Sequence, residues 1–180
     1  MGRLIEILKN ENPNKVMYLD AGDQFQGGIE ASSLISSGEI INDFFNIIDV
    51  NGSAIGNHEF DFGPDFLMPY LQGRSSPNLA ANLKSETGES NFLPHQKASK
   101  LFSFSNGIKI GVIGLATIET PSTTAGFLDG LFPPYKFMAY KNFVTSESTK
   151  LKKSGANAVL ILSHVGDACP LDLTYGIWTS

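Results

Sequence analysis

Short apolar segments alternate with helix-like segments along this chain, and this alternation constrains the fold more than any other feature of the sequence. Leu4, Ile5 and Leu8 recur at helical spacing, whereas residues 16–19 and 158–163 are short and almost continuously apolar. Apolar strands of this kind are buried on both faces. Strands that alternate with helices build a sheet covered by helices. The sequence therefore predicts an α/β domain.

The boundaries of the predicted elements come from proline, glycine and asparagine. Asn12-Pro13 closes a first helix, Pro64 begins a later one, and Gly155 ends the last. Asn106-Gly107 is typical of a hairpin turn. We predict helices before residue 12, over 39–48 (largely buried), from 64 onward and over 139–153. We predict strands over residues 16–19, 53–55, 79–83, 102–104, 108–116 and 158–163 (buried), with loops over 84–97 and 120–136.

The composition restricts the classes of partner. With 180 residues, of which 42% are hydrophobic, the chain suits one folded domain. Its net charge is −5 and no run of Lys or Arg forms a basic stripe, which argues against binding to a nucleic-acid polymer. An acidic chain that binds a phosphate ester needs local positive charge, and a metal ion is a common source.

Targeting and redox signals are few. No apolar stretch is long enough to suggest a membrane span, and the N-terminus lacks the apolar core of a signal peptide. Cys169 is the only cysteine, so the chain forms no intrachain disulfide. The sequence assigns neither a compartment nor an oligomeric state.

Three of the predicted strands end in polar residues. The first is followed by Asp20 and Asp23, the second by Asn57, His58, Glu59 and Asp61, and the third by His164 and Asp167. Sites in α/β sheets gather at the carboxyl ends of strands. Carboxylate, amide and imidazole groups form a mixed ligand set that suits zinc, manganese or iron, and one carboxylate can bridge two ions. The sequence therefore predicts a metal site at this edge.

His58 and Asp61 are three residues apart and suggest a second role beside the metal. A carboxylate that accepts from one imidazole nitrogen would fix the orientation of the ring. His58 would then stabilise phosphoryl oxygens or protonate a leaving alkoxide.

The motifs GNHEFDFG and LDAGDQFQGG resemble those of the 5'-nucleotidase family of the calcineurin-like metallophosphoesterases. The spacing between them, ANL at 81–83, the GVIGLAT strand and SHVG also fit, so the resemblance covers nearly the whole chain. It implies an α-β-β-α sandwich and hydrolysis of nucleoside monophosphates to nucleoside and phosphate, by in-line attack of a metal-activated water.

The resemblance also assigns roles to residues. It implies that Asp23 bridges two divalent metal ions, that Asn57 and His164 bind the second of them, and that His58 is the catalytic histidine with Asp61 as its dyad partner. Glu59 is not a primary ligand in the family pattern, and we interpret it as a supporting carboxylate, as we do Asp20 in its loop. Asp167 is interpreted as a loop residue.

Some features of the family pattern have no counterpart in this chain. These are the Asp-x-His motif of the family's first strand, its later Gly-His-x-His motif and its C-terminal nucleotide-binding domain. The resemblance therefore implies that residues 1–180 are a metallophosphoesterase domain truncated at both ends, which retains ligands mainly for one of two metals. We expect it to be inactive alone.

Other interpretations of the same residues remain open. Asp23 could be a turn carboxylate beside Gly22, Asn57 a left-handed turn residue, and Asp61 a helix cap before Pro64. The activity could also be that of a 2',3'-cyclic-nucleotide phosphodiesterase and 3'-nucleotidase, or the chain could be an inactive fragment that binds at most one metal. A P-loop or dinucleotide-binding protein lacks support, because neither glycine-rich motif is present.

Overall fold

A computed structural model describes residues 2–13, 15–24 and 38–165 of the chain. Within these ranges the α-helices are α1 Gly2–Glu11, α2 Glu39–Ile47, α3 Pro64–Gln72, α4 Thr120–Thr123, α5 Ala125–Leu128 and α6 Tyr140–Lys153, and a 3₁₀ turn covers His58–Phe60. The strands among the described residues are β1 Leu19–Asp20, β2 Gly52–Ala54, β3 Asn78–Leu79, β4 Leu83–Lys84, β5 Gln96–Lys97, β6 Ser99–Ser103, β7 Lys109–Ala116, β8 Lys136–Phe137 and β9 Ala158–His164. The described chain is therefore of mixed α/β class, as predicted.

Two sheets form the centre of the described structure. The first is parallel throughout, in the order β1-β2-β3-β5. The second has the order β6-β7-β9, with β6 antiparallel and β9 parallel to β7. Strand β2 contacts both β7 and β9, so the two sheets meet across their faces. A third pair, β4 and β8, is antiparallel.

Close packing between the sheets depends on one glycine. A Cβ atom built at Gly114 of β7 would overlap the main chain of Leu79 in β3. Asn82, three residues after Leu79, is fully buried. Its side chain donates to the carbonyl oxygens of Ala116 and Met138 and accepts from the N–H of Ala116. These contacts join the end of β7 to the segment between β3 and β4.

Several predicted boundaries are confirmed. Helices α1, α3 and α6 occupy the predicted positions, and Gly155 takes the positive φ of 91° that a helix-terminating glycine adopts. The Asn106-Gly107 turn joins β6 and β7 as an antiparallel pair, with Gly107 at a φ of 84°. Local sequence determines each of these features, since proline restricts φ and glycine permits the positive φ that these boundaries need.

Other predictions are wrong in extent. Residues 79–83 do not form one strand, because Ala80–Asn82 turn the chain from β3 into β4 of a different sheet. The first strand is shorter than predicted and is shifted to Leu19–Asp20. The loop predicted over 84–97 begins and ends in short strands, and the loop over 120–136 contains α4 and α5 and reaches β8.

Two predictions of burial are also wrong. Helix α2 buries only one face, against Ile5 and Val50, and leaves Ile47 82% exposed. Strand β9 leaves Leu160 and Ile161 43% and 51% exposed, because within the described ranges it pairs with β7 alone. Both segments are rich in apolar residues, and composition does not show which face is covered.

Among the described residues, no helix combines the length and the apolar character that crossing a membrane requires.

Candidate active site

Polar residues that follow three strands meet at one edge of the structure. Asp23 follows β1, Asn57 follows β2, and His164 ends β9. Strands β1 and β2 are parallel neighbours, so their carboxyl ends lie at the same edge. Strand β9 belongs to the other sheet, but its contact with β2 brings His164 to the same place. The structure thus brings together the three residues predicted as metal ligands.

The ligand atoms of these residues converge. The Nε2 atom of His164 lies 3.0 Å from Oδ2 of Asp23 and 3.1 Å from Oδ1 of Asn57. The other ring nitrogen, Nδ1, lies 2.9 Å from the carbonyl oxygen of Ala21. Because a carbonyl oxygen only accepts, Nδ1 carries a proton and donates it there. This bond fixes the ring with Nε2 facing the two oxygens.

Asp23 and His164 also influence each other's protonation. The hydrogen bond to Asp23 raises the pKa of His164, and partial burial opposes this effect only in part. Burial alone would raise the pKa of Asp23, but hydrogen bonds from His164 and from the main-chain N–H of His58 bring that pKa below its usual value. The site therefore contains an ionised carboxylate at neutral pH.

His58 and Asp61 form a hydrogen-bonded pair beside these residues. His58 Nδ1 lies 2.7 Å from Asp61 Oδ2. The His58–Phe60 turn is of the 3₁₀ type, in which residues i and i+3 lie above one another, so the spacing of three brings the two side chains together. The main-chain N–H of Ala125, at the start of α5, donates to the other carboxylate oxygen of Asp61 at 3.3 Å.

Glu59 and Asp20 support the loops around the site. Glu59 is buried and accepts from three main-chain N–H groups, those of Asp23, Gln24 and Gly56. Burial raises the pKa of Glu59 to about 7, although these bonds stabilise its charged form. Asp20 accepts from the N–H of Gly22 at 3.0 Å and from the side-chain amide of Gln24.

A buried arginine behind the loop after β1 was not predicted from the sequence. The Arg74 guanidinium donates to the Gln24 side chain at 3.0 Å and to the Tyr70 hydroxyl at 2.8 Å, and it lies 4.4 Å from the centre of the Phe45 ring. The Tyr70 hydroxyl also donates to Gln24. The two bonds to Gln24 connect residues 46 and 50 positions apart, so no local motif indicates them.

The structure also bears on the other interpretations of these residues. Asn57 has right-handed backbone angles, φ −79° and ψ −38°, so it is not a left-handed turn residue. The residue that caps α3 is Gly63, not Asp61. Asp23 has a left-handed φ of 60°, and its carboxylate faces His164, so its side chain is directed at the site.

Two parts of the predicted motifs cannot be placed. Asp167 and residues 25–28 lie outside the described residues. Within the described ranges, no group of three or more His, Cys, Asp or Glu side chains is arranged to hold a metal ion. The convergence at His164 contains two such side chains and takes its third donor from the Asn57 amide.

Comparison with known proteins finds relatives among the 5'-nucleotidases. A 5'-nucleotidase of Mus musculus is 33% identical over 168 residues and one of Diplobatis ommata is 36% identical over 166 residues; each match covers 90% of this chain and 27% of the relative. The crystal structure of a 5'-nucleotidase precursor from Thermus thermophilus superimposes with a TM-score of 0.74 at 25% identity, over 90% of this chain and 30% of that one. No family model matches. The chain spans about a quarter of the length of these curated relatives.

Proposed function

Because the chain belongs to the calcineurin-like phosphoesterases and is related within them to the 5'-nucleotidases, we propose that it forms the metal- and phosphate-binding part of a hydrolase of nucleoside monophosphates. The observation that carries this proposal is the convergence of Asp23, Asn57 and His164 beside the His58–Asp61 pair. The relatives support the choice of a nucleotide substrate, since they are named 5'-nucleotidases.

The donor geometry fits a divalent ion. Atoms that bind a common ion at 2.0–2.2 Å lie roughly 3 to 3.5 Å apart. The two separations measured from His164 Nε2, 3.0 and 3.1 Å, agree with this range. Carboxylate oxygen, amide oxygen and imidazole nitrogen form a set that suits zinc or manganese. Asp23, Asn57 and His164 would therefore hold one ion, and Asp23 would be shared with a second ion in a two-metal site.

The chemistry that bound divalent ions supply is acidification of a water molecule and neutralisation of phosphoryl charge. The chain's own residues bind and orient the substrate around that centre. His164 is held by the Ala21 carbonyl and keeps Nε2 directed at the site. Asp23 keeps one carboxylate oxygen on the His58 N–H, at 2.9 Å, and directs the other to His164.

His58 is the residue proposed to contact the phosphoryl group. Its Nδ1 is bonded to Asp61, so Nε2 is the ring atom that faces a substrate. A proton on Nε2 can hydrogen-bond to a phosphoryl oxygen and then pass to the oxygen of the leaving nucleoside as its bond to phosphorus breaks. Asp61 would stabilise the ring in the required orientation throughout.

An assay of phosphate release, together with chromatography of the nucleotide products, tests the proposal, because opening of a 2',3'-cyclic phosphate gives a nucleoside monophosphate and releases no phosphate. The 180-residue chain and a version extended at both ends by its flanking coding sequence would be incubated with Mn²⁺ or Zn²⁺. The substrates are AMP, 3'-AMP, 2',3'-cyclic AMP and 4-nitrophenyl phosphate. We expect release from AMP by the extended form, loss of it with EDTA and loss of it in His58→Ala. The proposal is wrong if neither form hydrolyses any of the four, and hydrolysis of the cyclic substrate alone would favour the phosphodiesterase activity.

A further inference from the structure

Glu59 is a buried carboxylate that the proposed function leaves without a role. Only 1% of the residue is exposed, which is rare for glutamate. A buried carboxylate is stable only when hydrogen bonds replace its water. In Glu59 these bonds come from the N–H groups of Gly56 at 2.7 Å and Asp23 at 2.9 Å to Oε2, and from that of Gln24 at 2.7 Å to Oε1. Both oxygens are therefore engaged by main-chain donors.

These three donors belong to two segments that are far apart in sequence. Asp23 and Gln24 follow β1, whereas Gly56 follows β2 and directly precedes Asn57. The last paired residues of β1 and β2 are Asp20 and Ser53. Strand pairing therefore does not extend to Asp23 and Gln24 or to Gly56. The Glu59 carboxylate connects them beyond that point.

The two segments also approach unusually closely. A Cβ atom built at Gly22 would lie 2.5 Å from the nitrogen of Gly56, and one at Gly56 would overlap the Asp23 carboxylate. Asp23 itself has a positive φ, which a residue with a side chain seldom adopts without support from its surroundings. The Glu59 bond to the Asp23 N–H supports this conformation directly.

Glu59 is not placed to act as a metal ligand. A metal ligand must be open to the ion, whereas Glu59 is buried and main-chain N–H groups occupy three of the roughly four acceptor positions of its carboxylate. Its hydrogen bonds come from Asp23, which is a proposed ligand, and from Gln24 and Gly56, each of which is next to a proposed ligand in sequence. Its effect on the site must therefore pass through the backbone.

We propose that Glu59 is a positioning residue that fixes the segment of Asp23 against the segment of Asn57, so that the two ligand side chains are in register before an ion binds. This inference rests on the proposed metal binding. Supporting groups behind metal ligands commonly change metal affinity without touching the ion. Here the group supports the ligand-bearing main chain rather than a ligand side chain.

Titration of the unaltered chain and of Glu59→Gln with Mn²⁺, followed by the electron paramagnetic resonance of free Mn²⁺, tests this role. Gln keeps the shape of Glu59 but replaces one acceptor oxygen with an N–H₂ group, which repels the donor it faces. We expect Mn²⁺ binding to weaken by roughly 10-fold or more. Glu86→Gln, which makes the same change of charge in an exposed loop residue, is the matched control and should bind as the unaltered chain does.

Each outcome has a distinct meaning. A merely structural Glu59 would lower the unfolding temperature but leave the Mn²⁺ dissociation constant of the folded variant unchanged, and that result overturns the inference. If the unaltered chain and Glu86→Gln do not bind Mn²⁺, the proposed function fails instead.

A second measurement decides the matter if Glu59→Gln does not fold. Amide hydrogen exchange of the unaltered, metal-free chain reports on the N–H groups of Asp23, Gln24 and Gly56. Protection of all three supports the inference. Exchange of the Asp23 and Gln24 amides at the rate of an unstructured peptide contradicts it.

Discussion

His58 and Asp61 are bonded side chain to side chain at 2.7 Å, and the two differ in exposure: the Asp61 side chain is 7% exposed and that of His58 34%. The buried carboxylate is held from behind by the Ala125 N–H. The imidazole ring is therefore partly exposed, while the carboxylate that orients it is held in place. This arrangement makes the contribution of the carboxylate measurable separately from that of the ring.

Asp61→Asn should reduce catalysis while leaving metal binding intact. The amide cannot accept from His58 Nδ1 with the strength of a carboxylate, so the ring loses its fixed orientation. We expect phosphate release from AMP by the extended form to fall by roughly 100-fold, in the range typical of general acid catalysis, with Mn²⁺ affinity unchanged. Asp65→Asn, an exposed residue of α3, is the control. Equal activity of the two variants would contradict a role for Asp61.

His164→Ala should weaken Mn²⁺ binding strongly, because it removes the atom on which the Asp23 and Asn57 oxygens converge. Isothermal titration of the 180-residue chain measures the affinity. We expect a loss of at least about 10-fold. His95→Ala removes a histidine from an exposed loop and should have no effect. A similar loss in both variants would indicate nonspecific binding to histidine.

Gly56→Ala should destabilise the chain although it adds a single methyl group. The new Cβ would lie 2.6 Å from the Asp23 nitrogen and 2.7 Å from a Glu59 carboxylate oxygen. Overpacking of this kind costs about 1–3 kcal/mol in the free energy of unfolding. Urea denaturation measures this cost.

The control for that variant lies in the same stretch of chain. At Gly52, in β2, an added Cβ would meet its nearest atom, in the Leu79 side chain, at an ordinary 3.4 Å. Gly52→Ala should therefore leave the urea midpoint nearly unchanged. A loss of stability at Gly52 as large as that at Gly56 would show that the close approach of the two segments is not the cause.

Asn82→Leu should be among the most destabilising substitutions outside the site. Asn82 donates to the carbonyl oxygens of Ala116 at 2.8 Å and Met138 at 3.0 Å, and it accepts from the Ala116 N–H at 2.9 Å. Each buried group left without its partner costs about 1–3 kcal/mol, so we expect a total loss of about 3 kcal/mol or more.

The unfolding midpoint in urea or on heating measures that loss. Asn142→Leu, on the exposed face of α6, provides the matched replacement. If the two leucine variants are equally stable, the side chain of Asn82 does not hold β7 and β8 together.

Local sequence predicted the parts of the site that local geometry controls. The pairing of His58 with Asp61 needs only a spacing of three and a 3₁₀ turn, and both are encoded within one short motif. The prediction that Asp23, Asn57 and His164 gather relied on the carboxyl ends of strands meeting at one edge. That reason holds for Asp23 and Asn57, whereas His164 comes from the other sheet and reaches the site through the contact of β9 with β2. Their roles as ligands and catalysts stay predictions that the proposed experiments address.

Long-range contacts account for what the sequence did not predict. Arg74 and Gln24 are 50 residues apart, and nothing near either of them marks the bond between their side chains. Residues 79–83 carry a strand-like pattern, yet Asn82 bonds to distant strands and turns the chain. The exposure of β9 depends on how many strands pair with it. The apolar sequence of residues 158–163 does not show that number.

His164 belongs to the sheet of β7, whereas Asp23 and Asn57 follow strands of the other sheet. A divalent ion held by all three would be a noncovalent crosslink between the two layers. Binding of the ion and folding of the chain would then be thermodynamically coupled. The free energy of unfolding, and with it the unfolding midpoint, would rise with the logarithm of the free ion concentration. In a cell, the lifetime of this protein against proteolysis would then follow the local supply of that ion.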